Sequence, residues 1–230
     1  MALLNKIGTN LREVIIWFLV VLGTTAAGLL AVDYFDLGWS WVEVLGTTTG
    51  AVTVWLLAKN RPLGWWWSII SVICFIYVFY SVELFGEVTI QVFYLITGFQ
   101  AIWIWVRGGA KKEGRPITSV PMKVVAFTVP LFIFAWVTTY FVLQALGGAA
   151  PFWDSLTTVM SITAHLWLVF RFAQSWWIWV AVDIIYIPLY LSRDLQLTSA
   201  LYVVFLAMAT MGAIEFWKAL KEPQDEPATV

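Results

Sequence analysis

Apolar residues fall in eight blocks along the chain, roughly 14–32, 41–58, 64–82, 85–106, 124–144, 154–170, 175–192 and 196–217. Each is close to the ~20 residues that a helix needs to cross the hydrocarbon core. None shows the strict apolar-polar alternation of an outer-membrane strand. Turn-forming and polar residues are confined to the gaps, as at Asn60-Arg61-Pro62, Gly108-Gly109 and Gly147-Gly148. In lipid every backbone group must be satisfied within its own segment, so the pattern predicts an all-α integral membrane protein with eight transmembrane helices. Trp39, Trp41, Trp65 to Trp67, Trp105, Trp153, Trp176, Trp177 and Trp217 stand near block ends, as interfacial anchors do.

Composition narrows the class. Of 230 residues, 61% are hydrophobic and 12% charged, against about 25% charged in soluble domains. That is too little polar surface to cover a water-soluble globule, and too much apolar surface for a disordered chain. The net charge of −1 offers no field for nucleic acid. A single cysteine, Cys74, excludes an internal disulfide and a CxxC metal site, and a single histidine, His165, excludes a multi-histidine metal or haem site. No metal and no cofactor is expected. The chain has no GxxxxGK[ST] phosphate loop, no lysine inside a block to carry a Schiff base, and no nucleophile set with a histidine and an acid in a catalytic motif. An enzyme is therefore not expected.

The charges sort by side. If every block crosses, all of the 13 basic residues except Arg193 lie on one side: Lys6, Arg12, Lys59, Arg61, Arg107, Lys111, Lys112, Arg115, Lys123, Arg171, Lys218 and Lys221. Asp33, Asp36, Glu43, Glu83, Glu87, Asp154 and Asp194 lie on the other. The positive-inside rule puts both termini in the cytoplasm. The first block shares a signal peptide's features, with basic residues before it and small residues from Thr24 to Gly28 after its core; an uncleaved peripheral helix is the preferred reading.

The chain also repeats. Glu43-Val-Leu-Gly-Thr47 resembles Asp154-Ser-Leu-Thr-Thr158, Trp65-Trp66 resembles Trp176-Trp177, and Ser81-Val-Glu83-Leu84 resembles Ser192-Arg-Asp194-Leu195, each 111 positions on. Trp105 pairs with Trp217 after a one-residue slip. Three blocks per unit would leave the second unit inverted, but block 124–144 restores its direction. The expected domains are a peripheral helix (14–32), a first three-helix bundle (41–106), an inversion helix (124–144), a parallel second bundle (154–217) and a cytoplasmic tail (218–230). Transporters place substrate at such repeat interfaces.

One ionisable residue, Asp183, lies well inside a block, where burial costs several kcal/mol unless the group is used or paired. Trp176, Trp179, Asp183, Tyr186 and Tyr190 share one helical stripe. A carboxylate among aromatic faces suits a flat or cationic ligand; the competing reading is an Asp–Tyr or Asp–Thr structural hydrogen bond. In block 154–170, Asp154, Thr158, Ser161 and His165 share a face with Thr157 beside it, and serve either a ligand or helix contacts. His165 is a helix-to-helix hydrogen bond, a ligand contact or a proton relay. Gln91, Tyr94 and Gly98 share one face of block 85–106, and Thr97 and Gln100 another; both amides need partners in lipid. Thr47, Thr48, Thr49, Gly50 and Thr53 mirror this weakly. No basic residue stands at mid-span to meet a phosphate.

On these residues the chain resembles the bacterial Pnu vitamin transporters, in their nicotinamide riboside branch. The resemblance rests on Gln91-Val-Phe-Tyr94 with Gly98 and Trp105, Asp154-x-x-Thr157-Thr158-x-x-Ser161, Trp176-x-x-Trp179-x-x-x-Asp183 with Leu189-Tyr190, and Gly212-x-x-Glu215-x-Trp217. It covers roughly 41–217; His165 stands where the family pattern has glutamine, and block 14–32 lies outside it. The resemblance implies two three-helix bundles joined by an inversion helix, as in the SWEET sugar transporters. It implies homotrimers in the bacterial inner membrane, and facilitated diffusion of nicotinamide riboside trapped by a cytoplasmic kinase. Expected substrate contacts are Gln91, Tyr94, Gln100, Thr157, Thr158, Ser161, Trp176, Trp179, Asp183 and Tyr186. The alternatives are another vitamin (riboflavin, thiamine) or a sugar on the same fold, or a membrane enzyme or receptor-like binder.

Overall fold

The computed structural model describes residues 10–81, 85–109, 114–147, 150–192 and 196–221. Lys6, Glu83, Lys111, Lys112, Gly148, Arg193, Asp194 and the end of the tail, which enter the charge and repeat readings, lie outside the described residues. Eight helices are described: α1 Leu11–Tyr34, α2 Trp41–Ala58, α3 Leu63–Ser81, α4 Phe85–Arg107, α5 Met122–Ala145, α6 Pro151–Val169, α7 Ser175–Leu191 and α8 Gln196–Lys221. All start and end within four residues of the blocks that hydropathy marks out.

By length and composition, six of these helices can cross a membrane: α1 to α5 and α8. The other two have physical reasons to fall short. α7 is apolar but has 17 residues. α6 has 19 and carries Asp154, Ser155, Thr157, Thr158, Ser161, Thr163 and His165 along its length. Both belong to the part of the chain that holds most candidate site residues.

The chain divides into two compact units, residues 1–115 and 116–230. In the first, α3 packs on both α2 and α4, and α1 packs on α2. In the second, α7 packs on both α6 and α8, and α5 packs on α6. The double-tryptophan helix is thus the middle one in each.

Lipid supplies no hydrophobic drive for helix association, so close approach must. Gly46 and Gly50 provide it in the first unit: a Cβ on Gly46 would lie 3.1 Å from Cys74 Cβ, and one on Gly50 3.1 Å from Ser71 Oγ. Ser71 donates to the Gly46 carbonyl at 2.7 Å across the same contact. α1 is held on α2 by the Thr25 and Thr48 hydroxyls, 2.8 Å apart, and by Gly28, where a Cβ would meet Val44 Cγ1 at 2.7 Å. Arg61 grips Glu13 through Nε and a terminal nitrogen. Glu43 caps α2: Ser40 N–H donates to its carboxylate at 2.6 Å, and its own N–H donates to Ser40 Oγ at 3.3 Å. The acidic residue that opens each repeat thus has a helix-start role at Glu43, and Asp154 occupies the first turn of α6, where the helix dipole favours it.

The 111-residue repeat is carried by the backbone. After α2, Asn60 adopts φ +56°, its N–H donates to Leu57 O at 2.9 Å, and Arg61 N–H donates to Leu56 O at 2.8 Å. After α6, Arg171 adopts φ +58°, its N–H donates to Leu168 O at 2.8 Å, and Phe172 N–H donates to Trp167 O at 2.9 Å. These are two copies of one left-handed helix stop. Side chains repeat at the same shift. Trp65 meets Trp105 edge-on with centroids 5.7 Å apart, and Trp176 meets Phe216 edge-on at 5.7 Å. Phe75 stacks on Phe79, and Tyr186 stacks on Tyr190.

This corrects one expectation. Trp105 corresponds to Phe216 without any slip, not to Trp217. Phe216 is fully buried, whereas Trp217 is 45% exposed under the Lys221 ammonium. Phe216→Ala should therefore cost about 3–5 kcal/mol of stability, and Trp217→Ala no more than about 1 kcal/mol. Thermal unfolding in one detergent would compare them, and equal losses would reject the unslipped register.

Candidate functional site

The aromatic stripe of α7 faces α8. Trp176 lies against Gly212, where a Cβ would sit 2.5 Å from Trp176 Cδ2, and against Phe216. At the other end Tyr202 of α8 meets Tyr186 and Tyr190, with centroids 4.8 and 5.1 Å away, and shares a side-chain hydrogen bond with Tyr190. Phe205 closes edge-on against Tyr202 at 5.7 Å. An antiparallel register that pairs 176 with 212 and 186 with 202 sets Asp183 across from Phe205.

The partner face was legible in retrospect. Tyr202, Phe205, Ala209, Gly212 and Phe216 have the same spacing as Trp176, Trp179, Asp183, Tyr186 and Tyr190. Aromatic residues stand at both ends of the α8 stripe, and small ones let α7 approach at its middle. Tyr202 is the residue that single-helix reading missed.

Asp183 is 5% exposed, and no hydrogen bond or ion pair with a described residue reaches its carboxylate. Among the described residues neither an Asp–Tyr nor an Asp–Thr structural bond is formed, and Tyr202 pairs with Tyr190. Asp183 interacts electrostatically with Tyr202. An unpaired buried carboxylate costs several kcal/mol in such a setting. Shifted by 111 residues, its counterpart in α3 is Val72, so the first unit has the same seam without the charge.

The remaining expected residues divide. Trp179, half-buried, and Tyr186 stay on the α7 stripe beside Asp183. On α6, Thr158 donates to Asp154 O at 2.7 Å, which leaves its lone pairs to accept, and Ser161 makes no hydrogen bond to a described residue. Thr157 and Ser161 correspond to Gly46 and Gly50, which abut α3, so this face of α6 is its α7 contact. His165 is buried on the same helix and has interactions within the fold. In the first unit Gln91 and Tyr94 lie on the α4 stripe that continues through Gly98, Ala101 and Trp105; this is the counterpart of Tyr202 to Phe216. Gln91 is half-buried and has no hydrogen bond to a described residue.

Three of the expected contacts have distinct surroundings. Trp176 is 2% exposed and packs against Gly212 and Phe216 in the α7–α8 contact. Thr157 is fully buried and donates to Trp153 O at 2.8 Å, which makes it a packing residue. Gln100 is exposed, next to the exposed Phe99 and near the exposed Trp103 on α4.

Comparison with known proteins bears on this arrangement. A family model described as nicotinamide mononucleotide transporter matches residues 40–219. The nicotinamide riboside transporter PnuC of Escherichia coli (strain K12) is 23% identical over 200 residues, which cover 76% of this chain and 84% of that protein. That of Neisseria mucosa is 27% identical over 218 residues, covering 90% and 81%. A crystal structure of the vitamin B3 transporter PnuC superposes with a TM-score of 0.63 at 24% identity, covering 93% of this chain and 94% of that one, a likeness of fold.

Proposed function

The chain belongs to the nicotinamide mononucleotide transporter family, membrane transporters and not enzymes, and from that premise we propose that it carries nicotinamide riboside across the bacterial inner membrane. The observation that carries this reading is Asp183, a buried carboxylate on a seam of tyrosines with no hydrogen-bond or ion-pair partner among the described residues. Nicotinamide riboside has a flat cationic ring, a carboxamide and a ribose. The cation answers the carboxylate, and Trp179 and Tyr186 present ring faces for it. Thr158 and Ser161 suit the amide and hydroxyls.

The family's description names the mononucleotide, while the relatives' names give the riboside. Physical chemistry favours the riboside for this chain. A phosphate dianion needs a basic partner when desolvated, and the arginines and lysines of the described helices stand only at helix ends, as Arg12, Arg107, Lys123, Lys218 and Lys221 do.

In this reading all eight helices cross, α5 is the inversion helix between two parallel SWEET-like bundles, and both termini are cytoplasmic. Each protomer of a homotrimer passes substrate by facilitated diffusion, and a cytoplasmic kinase traps it. Calorimetry on the purified protein should show riboside binding at least about tenfold tighter than that of the mononucleotide, riboflavin or thiamine. Equal or tighter mononucleotide binding would reject the substrate. In proteoliposomes uptake should persist when the proton gradient is collapsed, and its complete loss would reject facilitated diffusion.

A further inference from the structure

Along the second unit an apolar groove runs between α5 and α6. Phe127, Leu131 and Ala135 form one wall, and Ile162, Leu166 and Phe170 the other. Among the described residues no charged side chain lines it, and Thr128 and Thr163 supply hydroxyls, the latter donating to Val159 O at 2.8 Å. α5 packs on α6 without burying any residue fully, and its groove side stays open: Phe127 is 72% and Leu131 51% exposed. From Val124 to Ala135 the groove runs about 16 Å at 1.5 Å per residue. That is close to half of the ~30 Å hydrocarbon core, the reach of one lipid leaflet.

Two cations stand at one end. Lys123 immediately precedes Val124, and Arg171 lies between the lining residues Phe170 and Phe172. The backbone holds these two segments together. Thr118 N–H donates to Arg171 O at 3.2 Å, Ala173 N–H donates to Thr118 O at 3.1 Å, and Val120 N–H donates to Gln174 Oε1 at 3.0 Å. Burial pulls the Arg171 guanidinium down to about 10, so it remains charged at neutral pH.

We propose that this groove is a phospholipid site: one acyl chain lies between α5 and α6, and an anionic headgroup meets Lys123 and Arg171. An apolar slot of one leaflet's depth with a cationic mouth matches an anionic lipid in both charge and length. It stands apart from Asp183 and from the transport reading.

Native mass spectrometry of the full chain, with phosphatidylglycerol or phosphatidylcholine added, tests it. Phosphatidylglycerol adducts should exceed phosphatidylcholine adducts at least about tenfold. Lys123→Glu should abolish that preference. Leu131→Trp, or Thr128→Tyr should the first fail to fold, should fill the slot and remove the adduct at unchanged oligomeric mass. Inorganic phosphate alone should leave thermal stability unchanged. Equal retention of the two lipids, or a preference untouched by Lys123→Glu, would overturn the proposal. So would a fall in oligomeric mass on filling the slot, which would identify the occupant as a second copy of the chain.

Discussion

Replacing Asp183 with asparagine is expected to weaken binding of nicotinamide riboside about a hundredfold while raising thermal stability. The substitution keeps the shape of the side chain and removes its charge. Without ligand, the carboxylate is buried beside Tyr202 with no described hydrogen bond or ion pair, so neutralising it relieves a cost. With ligand, it loses the one anion that faces a cationic ring. Truncating one side of a desolvated charge pair costs about 2–5 kcal/mol, and about 2.7 kcal/mol is a hundredfold. The opposite signs make the test sharp. Trp179→Ala should weaken binding less, and Trp217→Ala hardly at all. An asparagine variant that binds as before, or one that unfolds more easily, would remove Asp183 from the site.

Gly212→Ala is expected to lower stability by about 2–3 kcal/mol, at the upper end of what overpacking usually costs. Its Cβ would lie 2.5 to 2.7 Å from three atoms of the Trp176 indole. That ring cannot retreat, because it is 2% exposed and Phe216 lies against it at 5.7 Å. Gly23 is the control: nothing lies within 4 Å of its Cβ position, so Gly23→Ala should be neutral or stabilising by up to about 1 kcal/mol. Adding Trp176→Phe to Gly212→Ala should recover part of the loss. Thermal unfolding of the three variants beside the parent protein decides it, and a silent Gly212→Ala would show that α7 and α8 approach less closely than described.

The helices were legible because bilayer thickness sets their length and lipid forbids unpaired backbone, so the eight blocks read as helices almost end to end. The repeat was legible because Trp65-Trp66 and Trp176-Trp177 are rare pairs at a constant shift. Its register was not, since Phe216 and Trp217 are both aromatic neighbours, and only burial separates the one that packs on Trp176 from the one under Lys221. The burial of Trp176 was not legible for a related reason. A tryptophan on a stripe with an aspartate looks the same whether it stacks on a ligand or seals a helix contact.

The amino-acid order alone therefore determined a helical membrane protein of two similar halves, with a single acid, Asp183, set among aromatic residues in its second half. Hydropathy, spacing and charge are properties of one segment at a time. The tertiary structure decided which side of each helix meets a neighbour: that Tyr202 joins Tyr186 and Tyr190, that Trp176 and Thr157 are buried while Gln100 is exposed, and that Asp183 has no hydrogen-bond or ion-pair partner among the described residues. Those are facts about pairs of helices. In lipid, small residues and shape choose the pairing, and hydrophobic pattern does not.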